Sequence, residues 1–191
     1  MRLFVALEIP TAVRENLATL VRDLRELSSK MPDKRPLWVR SENLHVTLKF
    51  IGEADARQVE GIRGALSKIH SDAPVDLEFH QLGFFPNERR PRVLWAGVNA
   101  SPNLPALAVD VDRALETQDI AREQREFTAH LTLARFEPPG LSEALRAAIQ
   151  EKSSREFGSF QTHEFHLMES KLNSSGSVYT TVATFPFTVE P

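Results

Sequence analysis

One short phrase occurs twice in this chain, and it constrains the fold more than any other feature. His45-Val46-Thr47-Leu48 runs on into Lys49-Phe50-Ile51-Gly52, and His130-Leu131-Thr132-Leu133 runs on into Ala134-Arg135-Phe136. Side chains alternate faces along a β-strand, so each copy puts His and Thr on one face and two apolar residues on the other. Each copy therefore predicts a strand with an apolar face for a core and a polar face for a cleft. Similar frames surround the two copies. Leu3-Phe4-Val5-Ala6 and a helix precede the first, and Val93-Leu94-Trp95-Ala96 and a helix precede the second. Such self-similarity predicts two lobes related by an approximate two-fold, with both His-Thr faces on one cleft.

The rest of the chain supplies the helices and strands around this frame. Val13, Leu17, Leu20, Leu24 and Leu27 form one apolar stripe, which predicts a helix from Thr11 to Ser29 with Thr11 as its cap. Further helices are predicted over Asp55 to His70, around Leu104 to Leu115, and around Leu141 to Ile149. Strands are predicted over Leu3 to Ile9, Trp38-Val39, Leu44 to Ile51, Val75 to His80, Val93 to Val98 and Phe127 to Phe136. Two more, Phe160 to Leu172 and Val178 to Val189, close the chain around a turn at Asn173 to Gly176. Lys30 to Pro36 and Gly83 to Arg92 read as loops, and Pro138-Pro139-Gly140 stops a strand. The expected fold is α+β and bilobal. Each lobe is a mainly antiparallel sheet with helices outside, a cleft lies between, and residues 1–191 make one two-lobed catalytic domain.

Composition narrows the chemistry. With no cysteine, disulfides, thiolate nucleophiles and cysteine-ligated zinc are excluded. A formal net charge of −3 argues against a general nucleic-acid coat but leaves room for a local basic pocket. The apolar run Leu3 to Leu7 is too short for a signal peptide and is followed by Glu8. No stretch has the length of a membrane span. A cytoplasmic location is the expectation.

Two imidazoles can act as base and acid in one displacement, because an unperturbed pKa near ~6.5 gives both forms at neutral pH. Each threonine lies about 7 Å along the strand on the same face and can donate to an oxygen of the reacting group. With Arg135 nearby, this set suits a phosphodiester. A metal site is the weaker reading, since no Asp or Glu lies in either motif and threonine is a poor ligand. There is no Gly-x-Ser-x-Gly elbow for a serine nucleophile. The bland alternative makes His45 and His130 half-exposed strand residues. It would win for one such strand and loses for two in matching frames.

Taken together, these residues resemble the two-histidine (2H) phosphoesterases, and within them the RNA 2′,3′-cyclic phosphodiesterases, also called 2′-5′ RNA ligases. The resemblance runs through Arg2 to Ala6, Asn43 to Leu48 with Phe50 and Gly52, and Pro91 to Trp95. It continues through Phe127, His130 to Arg135, and Ser170-Lys171-Leu172 with Gly176 and Tyr179. Where the family usually has proline before the second histidine, this chain has Ala129. The resemblance implies hydrolysis of an RNA or nucleotide 2′,3′-cyclic phosphate to a 2′-phosphomonoester, with ATP-independent 2′-5′ ligation as the reverse. It implies His45 as proton donor, His130 as proton acceptor, Thr47 and Thr132 on phosphate oxygens, and Arg135 as added positive charge. The approximate two-fold makes the acid and base roles nearly interchangeable. Phe50 is a candidate base-stacking residue with an equal claim to a core place, and Arg92 a candidate substrate contact beside Phe84, Phe85, Arg89 and Arg90. No metal, cofactor or obligatory protein partner is expected, and a monomer is. Two rival readings stand: a non-catalytic module that binds RNA ends or nucleotides, and a sister phosphodiesterase for small cyclic nucleotides or 2′-5′ oligonucleotides.

The other histidines carry no such pattern. His163 and His166 are expected on opposite faces of one strand as surface residues, and His70 at the end of the second helix. Lys34, Arg35 and Arg40 read as solvated cations. Trp38 reads as a core residue, and Tyr179 as a strand-packing residue with a place facing the cleft as its second reading.

Overall fold

The structure, a computed structural model, describes residues 1–29, 36–137, 139–174 and 176–187. Lys34, Arg35, Pro138 and the end of the last predicted strand at Val189 lie outside the described residues. In chain order the elements are β1 (Arg2–Glu8), α1 (Thr11–Ser29), β2 (Leu37–Trp38), a 3-10 turn (Ser41–Asn43), β3 (His45–Glu53) and α2 (Ala56–Leu66). They continue with β4 (Val75–Phe85), β5 (Val93–Ala100), α3 (Asn103–Glu116), β6 (His130–Arg135) and α4 (Glu143–Glu151). The chain closes with β7 (Glu156–Thr162), β8 (Glu164–Asn173) and β9 (Gly176–Pro186).

Eight strands form one antiparallel path in the order β7-β4-β5-β6-β3-β1-β8-β9, with β2 also paired to β6. The expected α+β class and the two halves are both present: β3-β1-β8-β9 is one lobe and β7-β4-β5-β6 the other. Their junction is the pairing of Val46 with Leu131 between β3 and β6. The sheet cannot be flat. β7 and β8 are six strand spacings apart, about 29 Å in a flat sheet. Only His163 separates them in the chain, and two residues span at most ~7 Å. The path must therefore curl.

Two helices cross from the lobe they follow to the other one. α1 follows β1 but lies on β7, where Asn16 Nδ2 donates to Phe157 O at 3.0 Å. α3 follows β5 but lies on β3 and beside α2. The stripe that predicted α1 is its buried face: Val13, Leu17, Leu20 and Leu24 are buried, with Val21 added and Leu27 partly buried. Thr11 is already helical and so is not the cap. Asp55 does cap α2, in a capping box with Gln58. That helix ends at Leu66, which leaves His70 beyond it.

Several expectations need correction. The predicted strand Phe160 to Leu172 is two strands, β7 and β8, which join opposite lobes. Both are β-rich sequence, and only their partners differ. β4 runs to Phe85, so Gly83, Phe84 and Phe85 are strand rather than loop. His163 sits in the break between β7 and β8 and is exposed. His166 is not a surface residue: it is 5% exposed, and its Nδ1 lies 3.1 Å from Thr184 Oγ1. The lobe equivalence is shifted by one residue from the sequence match. Ala6 pairs with Thr47 and Trp95 pairs with Thr132, so Ala6 corresponds to Trp95 rather than to Ala96. A one-residue slip exchanges the faces of a strand, and it makes Trp95 a cleft-side residue.

A buried ion pair ties the loop before β6 to β3. Lys49 Nζ bonds Asp112 of α3 and donates to Ala121 O at 2.7 Å. Asp112 also accepts from the Glu123 N–H at 3.1 Å and from Arg122 Nε at 3.4 Å. The Lys49 and Asp112 side chains are only 7% and 12% exposed. Removing one partner strands the other charge. Lys49→Met is therefore expected to destabilise the fold by about 3 kcal/mol, measured by urea unfolding. Lys49→Met with Asp112→Leu should recover much of that loss. A single substitution within ~0.5 kcal/mol of wild type would show that the pair is not structural.

Candidate active site

The site begins at the junction of the lobes. Val46 and Leu131 are paired and fully buried on the core side. In an antiparallel register this sets His45 opposite Thr132 and Thr47 opposite His130. All four are half-buried on the other face. The structure thus brings together the four residues that the sequence singles out. The two imidazoles are diagonal neighbours, for which the spacing is about 7–8 Å.

Both motif strands are bulged at the same place. Thr47 pairs with Ala6 and Lys49 with Val5, so Leu48 is an extra residue. Thr132 pairs with Trp95 and Ala134 with Leu94, so Leu133 is its counterpart. A bulge shifts the alternation by one. Lys49 and Ala134 turn into the core, and Phe50 and Arg135 turn to the histidine face. The first six residues of β3 and the six of β6 consequently share one burial pattern. Phe50 is 63% exposed, which rules out the core role that sequence left open for it.

Backbone carbonyls hold both imidazoles. His45 Nδ1 donates to Asn43 O at 2.7 Å, and His130 Nδ1 donates to Thr128 O at 2.8 Å. A carbonyl only accepts, so Nδ1 carries hydrogen in both rings and each Nε2 is left for chemistry. Asn43 is itself fixed, since its Nδ2 donates to Ser177 O at 2.7 Å. Aromatic rings brace the other sides. Phe4 lies 4.8 Å from His45 between ring centres, and Tyr179 lies 5.2 Å away edge-on. Phe85 meets His130 edge-on at 4.9 Å, and Trp95 is 5.3 Å from Phe85. Trp95 needs glycine at position 83, where a Cβ would come within 2.2 Å of the indole ring.

Burial lowers the pKa of His45 below its ordinary 6.5, against the raising effect of the Asn43 carbonyl. The charges of His130 and Arg135 lower it further. His130 is lowered in the same way, by burial first and then by Arg135, against the Thr128 carbonyl. Arg135 is therefore close enough to act on both rings. The other sequence candidates are less central. Arg92 is exposed just before β5, and its backbone bridges Phe85 and Phe136. Phe84 packs near Phe136 at the core, 6.4 Å between rings. Arg89 and Arg90 are exposed, with their N–H groups on Asn87 Oδ1.

Sequence reasoning missed Phe4 and the two carbonyls, and for Tyr179 it favoured strand packing over a place facing the cleft. Tyr179 packs on Phe4 at 5.0 Å and also faces His45. A backbone carbonyl leaves no mark in sequence. Phe4 lies in a strand whose five central residues are all buried, so alternation could not tell its face. Among the described residues no group of three or more His, Asp or Glu could hold a metal ion, and no helix is long and apolar enough to cross a membrane. A groove of about 590 Å³ between α2 and α3 contains none of the motif residues.

Comparison with known proteins agrees with this architecture. A family model described as LigT like phosphoesterase matches two stretches, residues 7–95 and 98–179. An RNA 2′,3′-cyclic phosphodiesterase from Archaeoglobus fulgidus is 32% identical over 185 residues, covering 97% of this chain and 99% of that protein. One from Methanocaldococcus jannaschii is 30% identical, covering 94% and 96%. Among solved structures, TT0787 of Thermus thermophilus superposes with a TM-score of 0.78 at 27% identity, covering 100% of both chains. E. coli LigT complexed with 3′-AMP shares the fold at a TM-score of 0.76 and 24% identity, covering 98% of both chains.

The lowered histidine pKa values predict a pH dependence of stability. The unfolded chain takes up these protons near 6.5 and the folded one at lower pH, so the unfolded state binds more protons in between. This contribution is full above 6.5 and is lost as pH falls through the folded values. Urea unfolding at about pH 7.5 and about pH 5 should show a smaller acid loss in His45→Gln/His130→Gln than in wild type. An equal loss in both proteins would show that these histidines are not held neutral by the fold.

Proposed function

The chain belongs to the LigT-like phosphoesterase family, and on that premise we propose that it is an RNA 2′,3′-cyclic phosphodiesterase working by two-histidine acid-base catalysis. The observation that carries the reading is the matched pair of imidazoles, each locked through Nδ1 to the carbonyl two residues before it. Both Nε2 atoms are thereby left for one reacting centre.

In the proposed reaction the cyclic phosphate lies between the two rings. Neutral His130 accepts a proton from water at Nε2 as the water oxygen bonds to phosphorus. The bond from phosphorus to O3′ breaks on the far side. His45, protonated at Nε2, gives that proton to O3′, which leaves a 3′-hydroxyl and a 2′-phosphomonoester. A diagonal spacing of about 7–8 Å suits an in-line displacement, with entering and leaving oxygens on opposite sides of phosphorus. Thr47 and Thr132 donate to non-bridging oxygens, and the exposed Arg135 adds positive charge to them. The scheme uses two imidazoles, two hydroxyls and a guanidinium, and none of its steps needs a metal. Both lobes contribute to it, which makes residues 1–191 one catalytic unit.

The lowered pKa values fit the base directly and require the bound anion for the acid. A phosphodiester beside His45 raises its proton affinity, so substrate binding itself charges the acid. With a 5′-hydroxyl in place of water as the nucleophile, the same displacement would form a 2′-5′ link, His130 taking the 5′-hydroxyl proton and O3′ leaving with the proton from His45.

Hydrolysis of a nucleoside 2′,3′-cyclic phosphate to the 2′-phosphate should persist in excess EDTA. His45→Ala and His130→Ala should each lower kcat/KM by about 10²–10⁴-fold. Chromatography of the products measures both. Full activity in either alanine variant would end this mechanism, and binding without turnover by wild type would favour a nucleotide-binding module.

A further inference from the structure

A second cavity, of about 900 Å³, opens beside the histidines on the Arg135 side. It runs from the C-terminal turn of α1, past β2, to the β8–β9 hairpin. Asn43 and Tyr179 line it, and the same two residues touch His45. The groove is thus continuous with the site. Its size is that of a small-molecule pocket. The proposed mechanism uses only Arg135 and the backbone carbonyl of Asn43 from its lining.

Charge sets the groove apart from the rest of the molecule. The chain holds 26 acidic and 23 basic residues, yet the described lining of the groove has three arginines and no carboxylate. Arg25 comes from the exposed face of α1, Arg40 from the segment after β2, and Arg135 from β6. Glu42 bonds Arg40 from outside the lining and offsets part of its charge. Open apolar side chains share the lining with the cations. Leu37 is 60% exposed and Leu172 84% exposed, and both line the groove. Cations together with apolar and aromatic surface suit a single-stranded nucleic acid, whose phosphates and base faces alternate.

We infer that this groove binds the nucleotides on the 5′ side of the cyclic phosphate, so that a polymeric RNA end is preferred to a mononucleotide. The inference rests on the proposed activity and adds a direction to it. A nucleoside whose 2′ and 3′ oxygens are both in the cyclic phosphate continues only through its 5′ oxygen. For the strand that carries the cyclic phosphate, a phosphate-binding groove continuous with the site can receive only the 5′ neighbour. Arg25 and Arg40 take its phosphates, and Leu37, Leu172 and Tyr179 offer surface to its bases.

The test compares kcat/KM on a short oligoribonucleotide ending in 2′,3′-cyclic phosphate with that on the matching mononucleotide. Wild type should favour the oligonucleotide, and the advantage should shrink with added salt. Arg25→Glu should cut the oligonucleotide-to-mononucleotide ratio roughly tenfold. Arg57→Glu makes the same charge change on the exposed face of α2, outside the groove, and should leave the ratio as in wild type. A wild-type ratio near one, or equal ratios in Arg25→Glu and Arg57→Glu, would overturn the inference. If neither substrate is hydrolysed, the proposed activity fails. Fluorescence anisotropy with a 5′-labelled oligoribonucleotide ending in 2′-phosphate then decides the groove: weaker binding in Arg25→Glu than in Arg57→Glu supports it, and equal binding overturns it.

Discussion

A short antiparallel contact, Val46 on Leu131, is the constraint on which the site depends. It joins two four-stranded lobes into one sheet and sets the register of both motifs at once. Because both residues are fully buried, a slip of one position would turn the histidines into the core and the apolar pair into water. The register is therefore held by burial on one face, while the histidines and threonines lie on the other. Beyond the contact β6 parts from β3 and pairs with β2, where Val39 N donates to Leu133 O at 2.9 Å.

The two-fold is kept within the two motifs and broken around them. Histidine, threonine, the bulge and the carbonyl lock recur in both halves. The position five residues beyond each histidine does not: it is Phe50 in one half and Arg135 in the other. Ala6 stands where Trp95 stands, and Glu8 is paired with His45 where Gly97 is paired with His130. One side is thus braced by Phe4 and Tyr179, the other by Phe85 and Trp95. The more enclosed ring, His45, also sits under the field of both His130 and Arg135. Two imidazoles held alike by backbone carbonyls thus lie in unlike surroundings.

Much of the frame was legible in the chain. The stripes of α1, α2 and α3 and the strands carrying the motifs were plain, because burial on one face imposes a period on a sequence. His45, Thr47, His130 and Thr132 were found by recurrence. Partner choice was not legible. The break at His163 between β7 and β8 shows this, since two β-rich stretches one residue apart belong to opposite lobes. The extension of β4 to Phe85 was hidden behind a loop-like composition, and with it the ring that braces His130. The burial of His166 depends on its place in β8 between β1 and β9, where both faces of the strand are covered.

By itself the sequence determined the chemical groups, their two-residue spacing on two strands, and the approximate symmetry of their frames. These are properties of short segments, where side-chain alternation has only two outcomes. Tertiary structure alone decided that the two strands are neighbours, that their histidines lie diagonally, and which nitrogen each ring presents. It also decided that the bulges at Leu48 and Leu133 carry Phe50 and Arg135 to the histidine face. Those outcomes depend on pairing between residues some 85 positions apart, which no local pattern encodes.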